Sequence, residues 1–391
     1  MLEESIKNIK KLQDRIQKSK YTEAIPFVGA GSSIPLGLPL WEQLVQDFHN
    51  EVNCNIPFDE LKEYHDRNWP IISDKIFESI EGGVENKFAI YNEFMSQKFQ
   101  PKTCDWTSVH IEIIDLFEKI ITTNYDRAFE NVLKRNLNHE KYPEEIRKSY
   151  NYDFLYYPGK LEPIYGKCRW IAYLHGRNDS KKYVFREKEY TYAYNEDNEI
   201  TTFLNSIIKV FPIIFLGFSF DDVNFKVKLQ EIINKKKVNL NRRYEVFGAK
   251  DELDSEIAGL FVIIHKKDLD DRIDNNTLKY FFNGKHEEIK DIIKISQTEH
   301  EGFSRIELIS GNNTIERLKE IFKGNIKKLE EFNKKIKSLS DIRKKKKYFE
   351  DNGIKTIEYS GNHTNIIEIL KKIMDYEIHI KNEQGQFPDT I

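Results

Sequence analysis

Apolar residues recur at helical spacing from the start of the chain. Ile6, Ile9, Leu12 and Ile16 share one face of a charged segment, which predicts a docking helix over 1–20. The pattern then changes. The run AIPFVG (24–29) is apolar on both faces and enters a glycine turn. Comparable runs return at KIITTNYD (119–126), CRWIAYLHG (168–176), FPIIFLGFSF (211–220), YEVFGA (244–249), LFVIIHK (260–266) and GIKTIEYSG (353–361). Short runs without polar alternation fit the strands of a parallel sheet covered on each side. The stretches between them are mostly helical in spacing, above all 41–118. The expected fold is α/β: a Rossmann-like parallel sheet with helices on both faces, plus helical insertions.

The same pattern divides the chain. One sheet-bearing unit spans 21–265 together with 351–378, with 41–118 as a mostly helical insertion inside it. Residues 266–350 read as a second, largely helical insertion. There Ile315, Leu318, Phe322, Ile326, Leu329, Phe332, Ile336 and Leu339 repeat at helical spacing. Residues 379–391 read as a tail. The basic run that begins at Arg343 reads as a solvated helix end.

Composition narrows the function. The 391 residues carry a formal charge of -3, so no global polycation is present and direct nucleic-acid binding is not expected. No apolar run approaches the roughly 18 residues of a membrane span, and the charged N-terminal segment has no signal-peptide core. A cytoplasmic protein without a membrane association is the expectation. Cys54, Cys104 and Cys168 are scattered without CxxC spacing, which argues against a zinc site or any other metal centre.

Residues suited to chemistry follow the expected strands, where α/β sheets gather their ligands. Gly29 and Gly31 suit a tight turn in which backbone N–H groups approach a phosphate, and Ser32 and Ser33 add hydroxyls that can cap the next helix. A plain strand-to-helix turn is equally compatible with these small residues. Asn124 and Asp126 place an amide and a carboxylate side by side, to orient a hydroxyl or to cap a helix. His175 ends an aromatic run before Gly176. It is either a group able to take a proton near neutral pH or a satisfied strand-end histidine. Gly217 and Ser219 again suit close backbone approach, and Asp221 and Asp222 suit capping.

Taken in order, GAGSS, TNYD, HG and GFS resemble the sirtuin family of NAD-consuming proteins over roughly 22–265 and 351–376. The resemblance implies NAD as substrate. It gives the diphosphate to Gly29, Ala30, Gly31 and Ser32, and the nicotinamide carboxamide to Asp126. It assigns the adenine ribose to Gly217 and Ser219. It makes Asn124 and His175 the catalytic pair. The two CxxC pairs of the family's deacetylases are absent. Leu38-Pro39-Leu40-Trp41 stands where they carry Ile-Pro-Asp-Phe-Arg, so the phenylalanine and arginine roles are unfilled or passed to Leu40 and Trp41. LPLWEQLV resembles the divergent bacterial branch, often NAD hydrolases in anti-phage defence, some working with a HerA-type ATPase. The resemblance therefore implies an NAD glycohydrolase that depletes NAD, with no metal and with such an ATPase as a separate partner. A homo-oligomer is expected, its contacts made through the N-terminal stripe and the Ile315–Leu339 helix. An NAD-dependent protein deacylase and a non-catalytic NAD or ADP-ribose sensor are the alternatives.

Overall fold

The apolar runs become strands. They are β1 (Ile25–Val28), β2 (Lys119–Thr122), β3 (Tyr152–Tyr156), β4 (Arg169–Tyr173), β5 (Ile213–Leu216) and β6 (Leu260–His265), then β7 (Ile273–Asp274), β8 (Ile293–Gln297), β9 (Phe303–Leu308) and β10 (Lys355–Tyr359). The computed structural model describes residues 3–18, 23–100, 104–138, 151–159, 161, 168–194, 198–220, 222–247, 259–282, 293–297, 303–308, 314–322, 325–360, 362 and 365–383. Two compact units emerge, Met1–Ile264 with Asn352–Ile391, and His265–Asp351.

The first unit is a seven-stranded parallel sheet in the order β10-β6-β5-β1-β2-β4-β3, the expected Rossmann-like α/β architecture. Strands β1, β2 and β5 are buried along their whole length, as their unbroken apolar runs require. From β1 the order runs one way to β2, β4 and β3, and the other way to β5, β6 and β10. The reversal between β1 and β5 opens a crevice at their carboxyl ends.

Helix α1 (Glu3–Lys18) buries Ile9, Leu12 and Ile16 in one cluster with Ile357 of β10 and Ile366, Ile369 and Leu370 of the C-terminal helix Asn365–Glu383. Asn8 Nδ2 donates to Thr356 O at 2.8 Å, and Glu358 N donates to Ser5 Oγ at 3.0 Å. Most of the N-terminal stripe is thus covered within the chain; Ile6 alone stays 47% exposed. The segment expected as a tail begins as helix, through Glu383, and 384–391 lie outside the described residues.

The insertion after β1 is helical, as its spacing predicts: α2 (Trp41–Glu51), α3 (Phe58–Tyr64), α4 (Trp69–Ser79), α5 (Val84–Lys98) and α6 (Ser108–Leu116). Phe48, Trp69, Phe77, Tyr91 and Phe94 build a second core that also holds Tyr125 and Phe185. Further along run α7 (Ala128–Asn138), α8 (Glu187–Ala193), α9 (Glu199–Val210) and α10 (Val223–Phe247). Of the strand expected at 244–249, residues 244–247 are helical and 248–249 lie outside the described residues. Tyr244–Phe247 ends α10, because no Gly or Pro interrupts the helix from Val223 onward. Strand β3 was not expected: it is an edge strand with mixed burial and lacks a continuous apolar run.

The second unit holds α11 (Asn275–Phe282), α12 (Thr314–Ile321), α13 (Ile326–Asp351) and an antiparallel sheet in the order β7-β9-β8. The sheet departs from the largely helical expectation. In β8, buried Ile293 and half-buried Ile295 alternate with exposed Lys294 and Ser296, a period-two pattern too short to stand out among helices. Phe281, Phe282, Phe322, Phe332 and Leu339 form the unit's own core, so the long apolar repeat is largely satisfied there.

Candidate functional site

At the crevice, two strand-end loops lie backbone on backbone. Gly29 N donates to Leu216 O and Gly31 N to Gly217 O, both at 2.8 Å, and Ser32 N donates to Gly29 O at 3.1 Å. A Cβ on Gly29 or Gly31 would stand 2.7 or 2.8 Å from Gly217 O. One on Gly217, at φ +60, would stand 2.6 Å from Ser32 N. The glycines are required for this contact between loops. The sequence assigned their freedom to N–H groups reaching a ligand, but three of those N–H groups are bonded inside the chain. Ala30 opens a 3-10 helix, Ala30–Leu36, whose N-cap Gly29 has no side-chain cap. Nor do the serines cap it: Ser32 Oγ turns back to Gly29 O at 2.8 Å, and Ser33 Oγ donates to Asp126 Oδ2 at 2.8 Å.

Ser33 joins the next motif to this one. Thr122 Oγ1 ties the end of β2 to Val28 O and accepts from Asn124 N at 3.0 Å. Buried Asn124 directs its Nδ2 to Ser33 Oγ at 3.1 Å and Gly29 O at 3.2 Å. Its Oδ1 is buried with no hydrogen-bond partner among the described residues. Asp126 Oδ1 accepts from Ala128 N at 3.0 Å and so caps α7, while Oδ2 holds Ser33. Asp126 is therefore a helix cap, as one of its two readings expected, and it also ties Ser33 to the same loop. Beneath it, burial lowers the His110 pKa to about 4, against the opposing pull of Asp126.

The register pairs Thr122 of β2 with Tyr173 of β4, so Asn124 and His175 leave adjacent strands at the same level. Gly176, at φ +84, turns the chain away. His175 is 2% exposed, and its Nε2 lies 2.7 Å from Tyr194 Oη. Burial lowers its pKa to about 3, so the ring is neutral. Tyr190 meets it edge-on at 5.3 Å and donates from its hydroxyl to Asp222 Oδ2 at 2.6 Å. Asp222 Oδ1 accepts from Phe225 N at 2.9 Å in the first turn of α10, and burial raises its carboxyl to about 6. Asp221 lies outside the described residues. Both tyrosines escaped the sequence reading. Their one signal is the four-residue spacing of Tyr190 and Tyr194, which puts both rings on one helical face.

A cavity of about 460 Å³ sits over the crevice, walled by Gly31, Ser32, Trp106, Thr107, Gly217 and Tyr359 among others. It brings the carboxyl ends of β1, β5 and β10 together with the start of α6, which Thr107 and His110 close with a capping box. Ser219 lies exposed after the GFS glycine. Leu40 is 47% exposed, and Trp41 stacks on Phe185 at 5.5 Å and 4°, committed to the aromatic core. Among the described residues no three His, Cys, Asp or Glu side chains group to hold a metal. No described helix is long and apolar enough to cross a membrane.

Comparison with known families fits this edge. Residues 118–268 match the model of the SIR2-like domain. The SIR2-like segment runs from β2 to just beyond β6. It contains Asn124, Asp126, His175, Gly217 and Ser219 and excludes the Gly29–Ser32 turn. It supports the sirtuin-like resemblance and points to NAD-related chemistry. No curated protein matches the chain.

Proposed function

We propose that the chain is an NAD glycohydrolase, cleaving the nicotinamide N-glycosidic bond of NAD with water to give nicotinamide and ADP-ribose. The observation that carries this is the Asn124 amide. Nδ2 is anchored to Ser33 and Gly29, and Oδ1 is a buried acceptor without a partner among the described residues, at the sheet edge of a SIR2-like segment. Such an acceptor holds one hydrogen of an attacking water or of a ribose hydroxyl. The cavity is not walled by Asn124, Asp126 or His175 and meets Asn124 only through Ser32, 3.4 Å from its Nδ2; it suits the adenosine and diphosphate, with the first turn of α6 adding the positive end of a helix dipole.

The bond itself asks little of the protein. Its electron pair goes to the cationic ring nitrogen of nicotinamide, and water oxygen bonds to the anomeric carbon. Burial makes His175 a weaker base than the near-neutral proton acceptor expected from the sequence; the proton passes to it as the water oxygen bonds to the anomeric carbon, when that oxygen is strongly acidic. Asp126 faces the carboxamide while it caps α7. Positioning a water and removing its proton each contribute on the order of 10²- to 10⁴-fold. The biological setting proposed is bacterial anti-phage defence, where NAD loss arrests an infected cell. Subunit assembly, and a partner such as a HerA-type ATPase, would then gate the activity.

The test is purified protein with NAD, followed by chromatography. Nicotinamide and ADP-ribose in equal amounts are expected, unaffected by chelator. Nicotinamide release only with an acylated peptide would make it a deacylase. Tight NAD binding without products would make it a sensor.

A further inference from the structure

The buried tyrosines around His175 have no part in the chemistry described so far. Tyr194 follows directly on α8 and is 6% exposed. Its hydroxyl reaches one described group, Nε2 of His175, at 2.7 Å. Its ring is fixed from two sides, stacked on Tyr190 at 5.7 Å and 11° and edge-on to Phe225 at 6.5 Å. Tyr190 is itself pinned by its 2.6 Å bond to Asp222, and Asp222 by the first turn of α10. Two helices therefore set the position of one phenol oxygen.

That oxygen is placed to govern an imidazole. A histidine acting as base needs one nitrogen facing its substrate and the other held. An unheld ring divides its time between tautomers and orientations. A hydroxyl suits the task because it both donates and accepts, so it can hold Nε2 before and after the ring takes a proton. A carboxylate in the same place would favour the protonated ring. Asp222 is engaged by Tyr190 instead.

Building on the NAD-cleaving function proposed above, we infer that Tyr194 is the positioning residue of His175, holding Nε2 so that Nδ1 is the nitrogen presented to the substrate. Tyr190 and Asp222 act one step further out, by fixing Tyr194.

Tyr194→Phe tests this, since it keeps the packing and removes only the oxygen. In the active protein, kcat should fall about 10- to 100-fold with KM for NAD within about twofold of wild type. Nitrogen-15 NMR of the His175 ring, assigned against His175→Gln, should show one tautomer in wild type and a mixture in Tyr194→Phe. Tyr190→Phe should fall between the two on both measures. Unchanged kcat and unchanged ring signals in folded Tyr194→Phe overturn the inference. So does a rise in kcat, which would make Tyr194 an obstruction that the substrate displaces. A wild-type protein that releases no nicotinamide overturns the NAD reading instead, and the ring signals still show whether Tyr194 fixes the tautomer.

Discussion

Asn124, Asp126 and His175 reach the site differently, and their variants should separate. His175→Ala should abolish NAD cleavage in a folded protein, while Asn124→Ala keeps NAD binding and loses roughly two orders of magnitude in kcat. Asp126→Asn should weaken NAD and free nicotinamide alike, as calorimetry would show. The histidines also set a pH dependence of stability. With folded pKa values near 3 and 4, His175 and His110 stay neutral where the unfolded chain, near 6.5, takes up protons. Each costs about 1.4 kcal/mol per pH unit as pH falls below 6.5. Asp222 has the opposite sign. Its folded pKa of about 6 exceeds the unfolded value, so it adds stability as pH falls from 6 towards 4. Removing one histidine should therefore nearly level the contribution of these three groups. Urea midpoints between pH 6 and 4 should show the gap between wild type and His175→Gln narrowing with acidity.

At the level of elements, the contact between the two glycine loops is the critical joint. Gly217→Ala forces an L side chain to φ +60 and drives its Cβ against Ser32 N, whereas Gly353, at φ +66, has open space around it. Denaturant unfolding should show Gly353→Ala costing about 1 kcal/mol and Gly217→Ala at least about twice that. How much of this joint the sequence discloses depends on distance along the chain. Strands β1, β2, β4, β5 and β6 are legible because burial on both faces leaves a nearly continuous apolar run, and edge strand β10 because its buried Ile357 and Tyr359 alternate with half-buried polar residues. Edge strand β3 and the β7-β9-β8 sheet carry weaker patterns, and YEVF looks like a strand only until the uninterrupted helix before it is considered. Gly29, Gly31 and Gly217 announce close approach but not to what. That the partner is another loop, and that Tyr194 rather than solvent meets His175, are side-chain facts fixed by packing between remote segments.

For the molecule as a whole, α1 is a structural member of the sheet unit. Leu12 is fully buried against β10 and the C-terminal helix. Leu12→Asp should destabilise the protein by about 3 kcal/mol or more in a thermal melt. Ile6→Asp, on the exposed part of the same face, should leave the melt within about 0.5 kcal/mol. Ile6→Asp is therefore the variant with which sedimentation can test self-association. Loss of oligomer on its introduction, with an unchanged melt, would locate the contact there.

The cavity wall supplied by Tyr359 bears on how a cell could make such a protein safely. Strand β10 meets α1 through a hydrogen bond between residues 348 positions apart, and the cavity closes only when β10 is in place. A growing chain on the ribosome displays the Gly29 turn, Asn124 and His175 long before it owns the last wall. A copy truncated before residue 355 lacks that wall, and nicotinamide release measured in lysates expressing it should stay at background where the full-length chain raises it.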